Sequence, residues 1–285
     1  MTDIDTGTDE LLCRIEDRVA TVTLNKPDKR NALGDILTPA LREVLLVLEA
    51  DSRVGCVLIT GAGKAFCSGG DVSGMGGGAG AAAKTLDERV AELTRKQESL
   101  TLRLYELAKP TIAALPGAAA GAGLSIALAC DLRVAARDAF IVTAFRNIGL
   151  SGDYGASWFL NRLIGQSKAK ELMFRSERVS AEACERLGLV NQVFEPETFR
   201  ADAQRYAAAA DNFQQAVKVA PHLPEGHYYL GEVYRKMALN DRAEQCFRDS
   251  IRQRKSLREM DDFDQAERAL CMLLHERGAY EEANK

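Results

Sequence analysis

With 285 residues, 46% of them hydrophobic and 27% charged, the chain has a globular composition and enough length to bury one large core or two smaller ones. A formal net charge of −4 excludes the basic footprint of a nucleic-acid binder, and no stretch approaches the ~20 apolar residues of a membrane helix. The acidic, polar segment Met1–Glu10 does not read as a secretory signal, and seven cysteines without a CxxC pair point to reduced thiols in a cytoplasmic setting, with neither a disulfide frame nor a zinc site.

Val19–Leu24 alternates and is rich in β-branched residues, which predicts a strand. Asn25-Lys26-Pro27-Asp28 breaks it, and Leu37, Leu41, Val44, Leu45 and Leu48 then give helical spacing between Leu33 and Ala50. Val57–Thr60 has the continuous apolar character of a buried strand. Residues Gly61 to Gly80 are glycine-rich, and a helix is predicted from Thr85 to Leu107. Further strands are predicted at Thr111–Leu115, Leu132–Ala136 and Phe140–Thr143, with a helix opening at Leu124–Ala129. Helices are predicted at Ser157–Leu163, Lys168–Phe174 and Ala181–Leu187. Strands alternating with helices predict an α/β fold with a largely parallel core.

The pattern changes near Ala207–Asp211, so the chain divides into a domain over 1–207 and an all-helical region over 208–285. Phe213, Ala216 and Pro221 precede Leu230, Gly231, Tyr234, Ala238, Ala243 and Phe247, an order of small and large residues that fits a helix pair on a 34-residue frame. Leu270, Cys271, Leu274, Gly278, Tyr280 and Ala283 repeat it. The step from Ala243 to Ala283 is 40 residues, so six extra residues are placed around Arg254–Asp262. Small residues let two helices approach and large ones fill the groove between them. This region resembles tetratricopeptide repeats, and a degenerate helical bundle is the alternative. About two repeats fall short of an isolated solenoid.

Two glycine-rich segments carry the candidate chemistry. In Gly61-Ala-Gly-Lys-Ala-Phe-Cys-Ser-Gly-Gly-Asp71 a strand ends and the chain turns so that backbone N–H groups can face a developing negative charge. Cys67 is a candidate thiol nucleophile there, weighed against a small apolar residue in a tight turn. In Pro116-Gly-Ala-Ala-Ala-Gly-Ala-Gly-Leu-Ser125 a strand runs into small residues and a helix, whose first amides and dipole favour an anion. The segment is neither a Walker phosphate loop nor a dinucleotide fingerprint. His222, His227 and His275, the only histidines, all lie in the helical tail, which argues against a histidine triad or metal site.

The segments KAFCSGGD, AKPTIAALPGAAAGAGLSIALACDLRVAA, IGLSGDYGASWFLNRLIGQSKAKEL and SAEACERLGLVNQVF, led by VTLNKPDKRNAL, stand in the order found in the enoyl-CoA hydratase/isomerase (crotonase) family. On these motifs the chain resembles that family from about Leu11 to Tyr206. The resemblance implies a spiral of ββα turns forming two near-perpendicular sheets ringed by helices. It also implies an acyl-CoA thioester as substrate, with coenzyme A as part of it and no separate cofactor or metal. By motif position the two backbone donors for a thioester enolate fall on Gly70 and Ala122, where Ala122 replaces the usual glycine but keeps its N–H. Lys29, Arg30 and Ala32, together with Ser68, Gly69 and Asp71, resemble residues that contact CoA or shape the acyl slot.

The chain departs from the hydratases at both acid/base positions, which hold Ser125 and Phe145 in place of glutamates. Asp153, in Gly-Leu-Ser-Gly-Asp-Tyr-Gly, remains. It resembles the catalytic aspartate of dienoyl-CoA isomerases, which implies proton transfer. It also resembles the nucleophilic aspartate of chlorobenzoyl-CoA dehalogenases, where Phe145, Tyr154, Trp158 and Phe159 would supply an aromatic pocket. A carboxylate that only caps the following helix is the structural alternative. Glu98 is a second acid/base candidate, weighed against a solvated helix face. The missing glutamates also admit an inactive scaffold whose tail binds a protein or peptide. In the family, further C-terminal helices cover the acyl pocket and build an oligomer. Here a different helical pattern follows Tyr206, so oligomer formation stays open.

Overall fold

The computed structural model describes residues 1–71, 85–219, 224–236, 240–257 and 265–276. They fall into two compact units, Met1–Ala209 and Ala210–Lys285.

The first unit opens with β1 (Thr2–Ile4), β2 (Leu11–Glu16) and β3 (Val19–Leu24), an antiparallel meander. In β2 the residues alternate between core and solvent. Asp17 and Arg18, both at positive φ (47° and 64°), form the two-residue turn whose twist suits a hairpin. The helix predicted from Leu33 starts at Leu37 and runs as α1 (Leu37–Ala50). Its first expected residues are used otherwise: Leu33 pairs with Gly70 and its N–H donates to the Gly69 carbonyl.

From there the chain repeats one unit, a strand in each of two sheets followed by a helix. β4 (Cys56–Gly61), β6 (Thr111–Leu115) and β8 (Leu132–Ala136) lie parallel in a seven-stranded sheet of order β1-β2-β3-β4-β6-β8-β11, which β11 (Gln192–Phe194) completes. β5 (Ala65–Cys67), β7 (Ala118–Ala120) and β9 (Phe140–Val142) lie parallel in a four-stranded sheet, closed by β10 (Val179–Ser180). The helices are α2 (Leu86–Gln97), which passes through a π-helical segment at Glu98–Leu102 into α3 (Arg103–Glu106), then α4 (Gly121–Ala129), α5 (Ala156–Arg175), α6 (Ala181–Arg186) and α7 (Phe199–Val219). The α/β fold with a largely parallel core is therefore present. Thr85 and Glu88 form a reciprocal capping box that starts α2 at the predicted point. Gly165, at φ 75°, interrupts α5 between the two helices read separately in the sequence.

All nine residues of α4 are buried. A Cβ on Gly123 would lie 2.6 Å from the carbonyl oxygen, Cβ and Sγ of Cys67, so only glycine lets this helix press against β5. At its other end α4 is capped by Arg133, 3% exposed, whose guanidinium donates to the carbonyls of Cys130 (2.7 Å) and Leu189 (2.7 Å). These contacts fix both ends of the helix whose first turn forms part of the candidate site.

In the second unit the described helices after α7 are α8 (Pro224–Lys236), α9 (Asn240–Leu257) and α10 (Gln265–Glu276). Ala243, Phe247, Ala269 and Leu273 form its core. A Cβ on Gly231 would lie 2.5 Å from the Phe247 ring, so only glycine lets that ring sit against α8. Cys271 departs from the frame: it is exposed, and Leu273 and Leu274 take the buried positions. Pro221, His222, Ala238, Gly278, Tyr280, Ala283 and most of the expected insertion at 254–262 lie outside the described residues. Among the described residues no helix is long and apolar enough to cross a membrane, and no group of histidine, cysteine or acidic residues could hold a metal ion.

Candidate active site

The loop at 29–33 and the strand end at 68–71 zip together. The Ser68 N–H donates to the Arg30 carbonyl (3.0 Å), Ser68 Oγ to the Lys29 carbonyl (3.3 Å), Leu33 N–H to the Gly69 carbonyl (2.8 Å) and Asp71 N–H to the Leu33 carbonyl (2.8 Å). Lys29, Arg30, Ala32, Ser68, Gly69 and Asp71, scattered over 43 positions in the sequence, thus share one edge. Lys29 and Arg30 are exposed and Ala32 is buried. In such a parallel bridge the bonds of Leu33 fall on the neighbours of Gly70, so the Gly70 N–H is turned to the opposite side. Gly70 is exposed, with no atom within 4 Å of where a Cβ would stand.

Asn31 holds this arrangement. It is fully buried, in the left-handed region at φ 57°, which asparagine tolerates. Its Nδ2 faces the carbonyls of Ala62 (3.0 Å), Ala65 (2.8 Å) and Phe66 (3.1 Å), and its Oδ1 accepts from the Lys26 N–H (2.9 Å). Asn31→Asp would turn a carboxylate oxygen onto three carbonyls. It is expected to cost about 3 kcal/mol, read as a lowered midpoint in urea unfolding of the full chain.

The second element of the site is α4. Gly121, at φ 50°, turns the chain out of β7 into the helix, and no side chain caps its first amides. Ala122 is the second helical residue and 5% exposed. Its nitrogen lies 3.5 Å from the Cβ position of Gly69, so the loop before Gly70 and the uncapped helix start meet directly.

Asp153 arrives on a loop in which Gly149, Gly152, Tyr154 and Gly155 all have positive φ. Its carbonyl accepts from Ser125 Oγ (3.1 Å) and from the Ala156 N–H (3.0 Å). The ring of Phe145, 4% exposed, lies beside both Gly121 and Gly152 and walls a cavity of about 730 Å³ also lined by Leu150, Met173 and Phe174. A second cavity of the same size, between β1–β4 and α7, shares no lining residue with these loops. The N-cap of α5 is Gly155 and no side chain caps it, so the Asp153 carboxylate does not serve that helix. Its Oδ1 is buried without a hydrogen-bond partner, and burial pushes its carboxyl above the usual carboxylate range.

The other candidates separate from this group. Glu98 is exposed on the π-helical segment. Cys67 is completely buried and its thiol is pushed up to about 12, which suppresses the thiolate a nucleophile needs. Trp158 and Phe159 pack with Tyr105 at centroid distances of 5.1 and 5.7 Å, an aromatic cluster that supports the Asp153 loop through Phe159 against Gly155.

Residues 14–222 match the model of the enoyl-CoA hydratase/isomerase family. The chain belongs to that family. The 1,2-epoxyphenylacetyl-CoA isomerase of Escherichia coli is 38% identical over 197 residues, which are 69% of this chain and 74% of that protein. The short-chain-enoyl-CoA hydratase of Clostridium acetobutylicum is 35% identical over 72% of this chain and 77% of its own length. The crystal structure of an enoyl-CoA hydratase from Polaromonas superposes with a TM-score of 0.68 at 31% identity, covering 85% of this chain and 90% of that one. The crotonase-like α/β fold and an enzyme of this superfamily are thereby shown. Within that family framework the hydratase positions differ in kind. Ser125 is buried and tied to two carbonyls, and Phe145 is a buried wall, so neither supplies a carboxyl group for proton transfer. Sequence reasoning placed Asn31 only within the loop Lys29 to Ala32 and missed its buried bonds, as it missed the bonding of Ser125. Asn31 stands inside the loop Lys29 to Ala32, and an asparagine among turn residues was the available signal.

Proposed function

We propose that the chain is an acyl-CoA isomerase in which the amides of Gly70 and Ala122 receive a thioester carbonyl and Asp153 moves the proton. The single observation that carries this reading is Asp153 Oδ1, a buried carboxylate oxygen with no hydrogen-bond partner, on a loop bonded to the first turn of α4. A carboxylate so desolvated is a stronger base than one in water, which suits removal of a weakly acidic hydrogen. The Asp153 carboxylate takes the α-hydrogen as a proton, the C–H electron pair forms the enolate C=C bond, and the carbonyl π pair moves onto the thioester oxygen. Two fixed N–H donors stabilise that oxyanion. The carboxylic acid then returns the proton at another carbon, and the double bond moves. The redox state is unchanged, and coenzyme A enters only as part of the substrate. Lys29, Arg30, Ala32, Ser68, Gly69 and Asp71 are assigned to the CoA side, and Phe145 to the acyl wall. For α8–α10 we propose tetratricopeptide-like pairing, on the seat that Gly231 makes for Phe247, with a protein segment as its partner.

The relative named for 1,2-epoxyphenylacetyl-CoA makes phenylacetyl-CoA a reasonable first probe, because its ring acidifies the α-hydrogen. In deuterium oxide the protein is expected to exchange that hydrogen, read by proton NMR, and to shift the double bond of a β,γ-unsaturated acyl-CoA. It is expected to add water to crotonyl-CoA at least about a hundredfold more slowly, since neither hydratase position carries an acid. Rapid hydration with no exchange and no isomerisation would overturn the proposal.

A further inference from the structure

We propose that Ser125 is a positioning residue whose hydroxyl ties the first turn of α4 to the main chain of Asp153 and so sets the spacing between the Ala122 amide and the Asp153 carboxylate. The inference rests on the reading of Asp153 as the proton-transfer group. Ser125 is completely buried, and its Oγ lies 3.3 Å from the Gly121 carbonyl and 3.1 Å from the Asp153 carbonyl. The first contact is a local bond of the kind a helical serine can make to the residue four positions back. The second spans 28 residues and has no counterpart in helix geometry.

One hydroxyl hydrogen serves both acceptors, so the Asp153 carbonyl can leave the helix only by giving up this fully buried donor to Gly121. The Asp153 side needs such a tether. Gly152 and Gly155 flank it at φ 111° and 79°, Tyr154 between them is a non-glycine residue at φ 47°, and the carboxylate oxygen itself makes no bond. The start of this loop is tied by the Leu150 N–H to the Phe145 carbonyl (2.9 Å), but beside Asp153 the side-chain contact is weak: Arg42 Nη2 to Tyr154 Oη, at 3.5 Å. The main-chain bond from Ala156 N–H holds the loop only to its own following helix. Ser125 therefore joins the element bearing the anion donor to the element bearing the base, and acts through them without touching substrate.

The test uses the full chain with phenylacetyl-CoA exchange in deuterium oxide and isomerisation of a β,γ-unsaturated acyl-CoA. Ser125→Ala removes the donor, and Ser125→Cys keeps the volume while weakening it. Asp153→Asn is run beside them. Both Ser125 variants are expected to keep KM within about twofold and to lose about tenfold in kcat, since a misplaced base costs rate while leaving ground-state binding alone. Melting curves by circular dichroism establish that each is folded. Should Ser125→Ala fail to fold, the kcat of Ser125→Cys decides between tether and bystander. Unchanged kcat in a folded Ser125 variant, beside a dead Asp153→Asn, would overturn the tether while sparing the proton-transfer reading. An active Asp153→Asn would overturn that reading itself.

Discussion

Replacing Asp153 by asparagine is expected to lower kcat about a thousandfold while leaving KM for the thioester within about threefold. The substitution keeps the shape of the side chain and removes only its capacity to take a proton, so the loop at Gly152–Gly155 has no reason to move. The pH dependence follows from the direction of the shift. Burial raises the carboxyl above the ordinary carboxylate range, and the reacting form is the carboxylate. Wild-type kcat therefore falls as pH drops through this raised value, at a higher pH than an exposed aspartate would show. Stability runs the other way. The folded protein binds a proton at this site more tightly than the unfolded chain does. The stabilising contribution of the group is thus fully present below its unfolded pKa and is lost as pH rises through the folded one. At neutral pH Asp153→Asn should accordingly melt at a higher temperature than wild type, with the difference vanishing in acid. An enzyme stabilised by losing its base is the trade expected when a charge is buried for chemistry. A variant that keeps full activity, or that melts lower at neutral pH, would leave Asp153 as an ordinary loop residue.

The parts of the fold that the sequence shows most clearly are those whose burial is periodic. Val19–Leu24 and Thr111–Leu115 are strands because β-branched and apolar residues there face a core, and the structure has them at those bounds. β5 and β7 are different. Ala65–Cys67 and Ala118–Ala120 are short runs of small residues with no alternation to read. They are extended because β7 is paired on both sides, by β5 and β9, a relation between segments more than twenty residues apart in the chain. The site divides in the same way. Glycines and the Asp153 motif stand out locally, whereas the meaning of Ser125 depends on a carbonyl 28 residues away. That of Asn31 depends on three carbonyls beyond residue 60. In the tail, Gly231 and Phe247 stand out as small and large residues but their contact does not, and the exposed Cys271 could not be read, because its place is decided by how α10 rolls to bury Leu273 and Leu274.

Ala122→Pro is the most selective way to remove one donor, and a loss of about 10²–10³ in kcat is expected from it. A backbone N–H cannot be deleted by ordinary side-chain replacement, and proline is usually fatal inside a helix. Here the geometry permits it. Ala122 is the second residue of α4, where the amide has no partner within the helix and a ring at fixed φ is tolerated. The residue before it is Gly121, which carries no Cβ to collide with the ring and already sits at φ 50°. The change therefore exchanges an N–H for a methylene at the point where the thioester oxygen is assigned, and the ring fills part of that space. Ala122→Gly, which keeps the N–H, serves as the control and should stay within about threefold of wild type. Circular dichroism should show the helix content of both unchanged. If Ala122→Pro were folded and within tenfold of wild type, the oxyanion would have to be held elsewhere. The uncapped amides at the start of α4 would then follow from the short, all-buried helix behind them and not from catalysis.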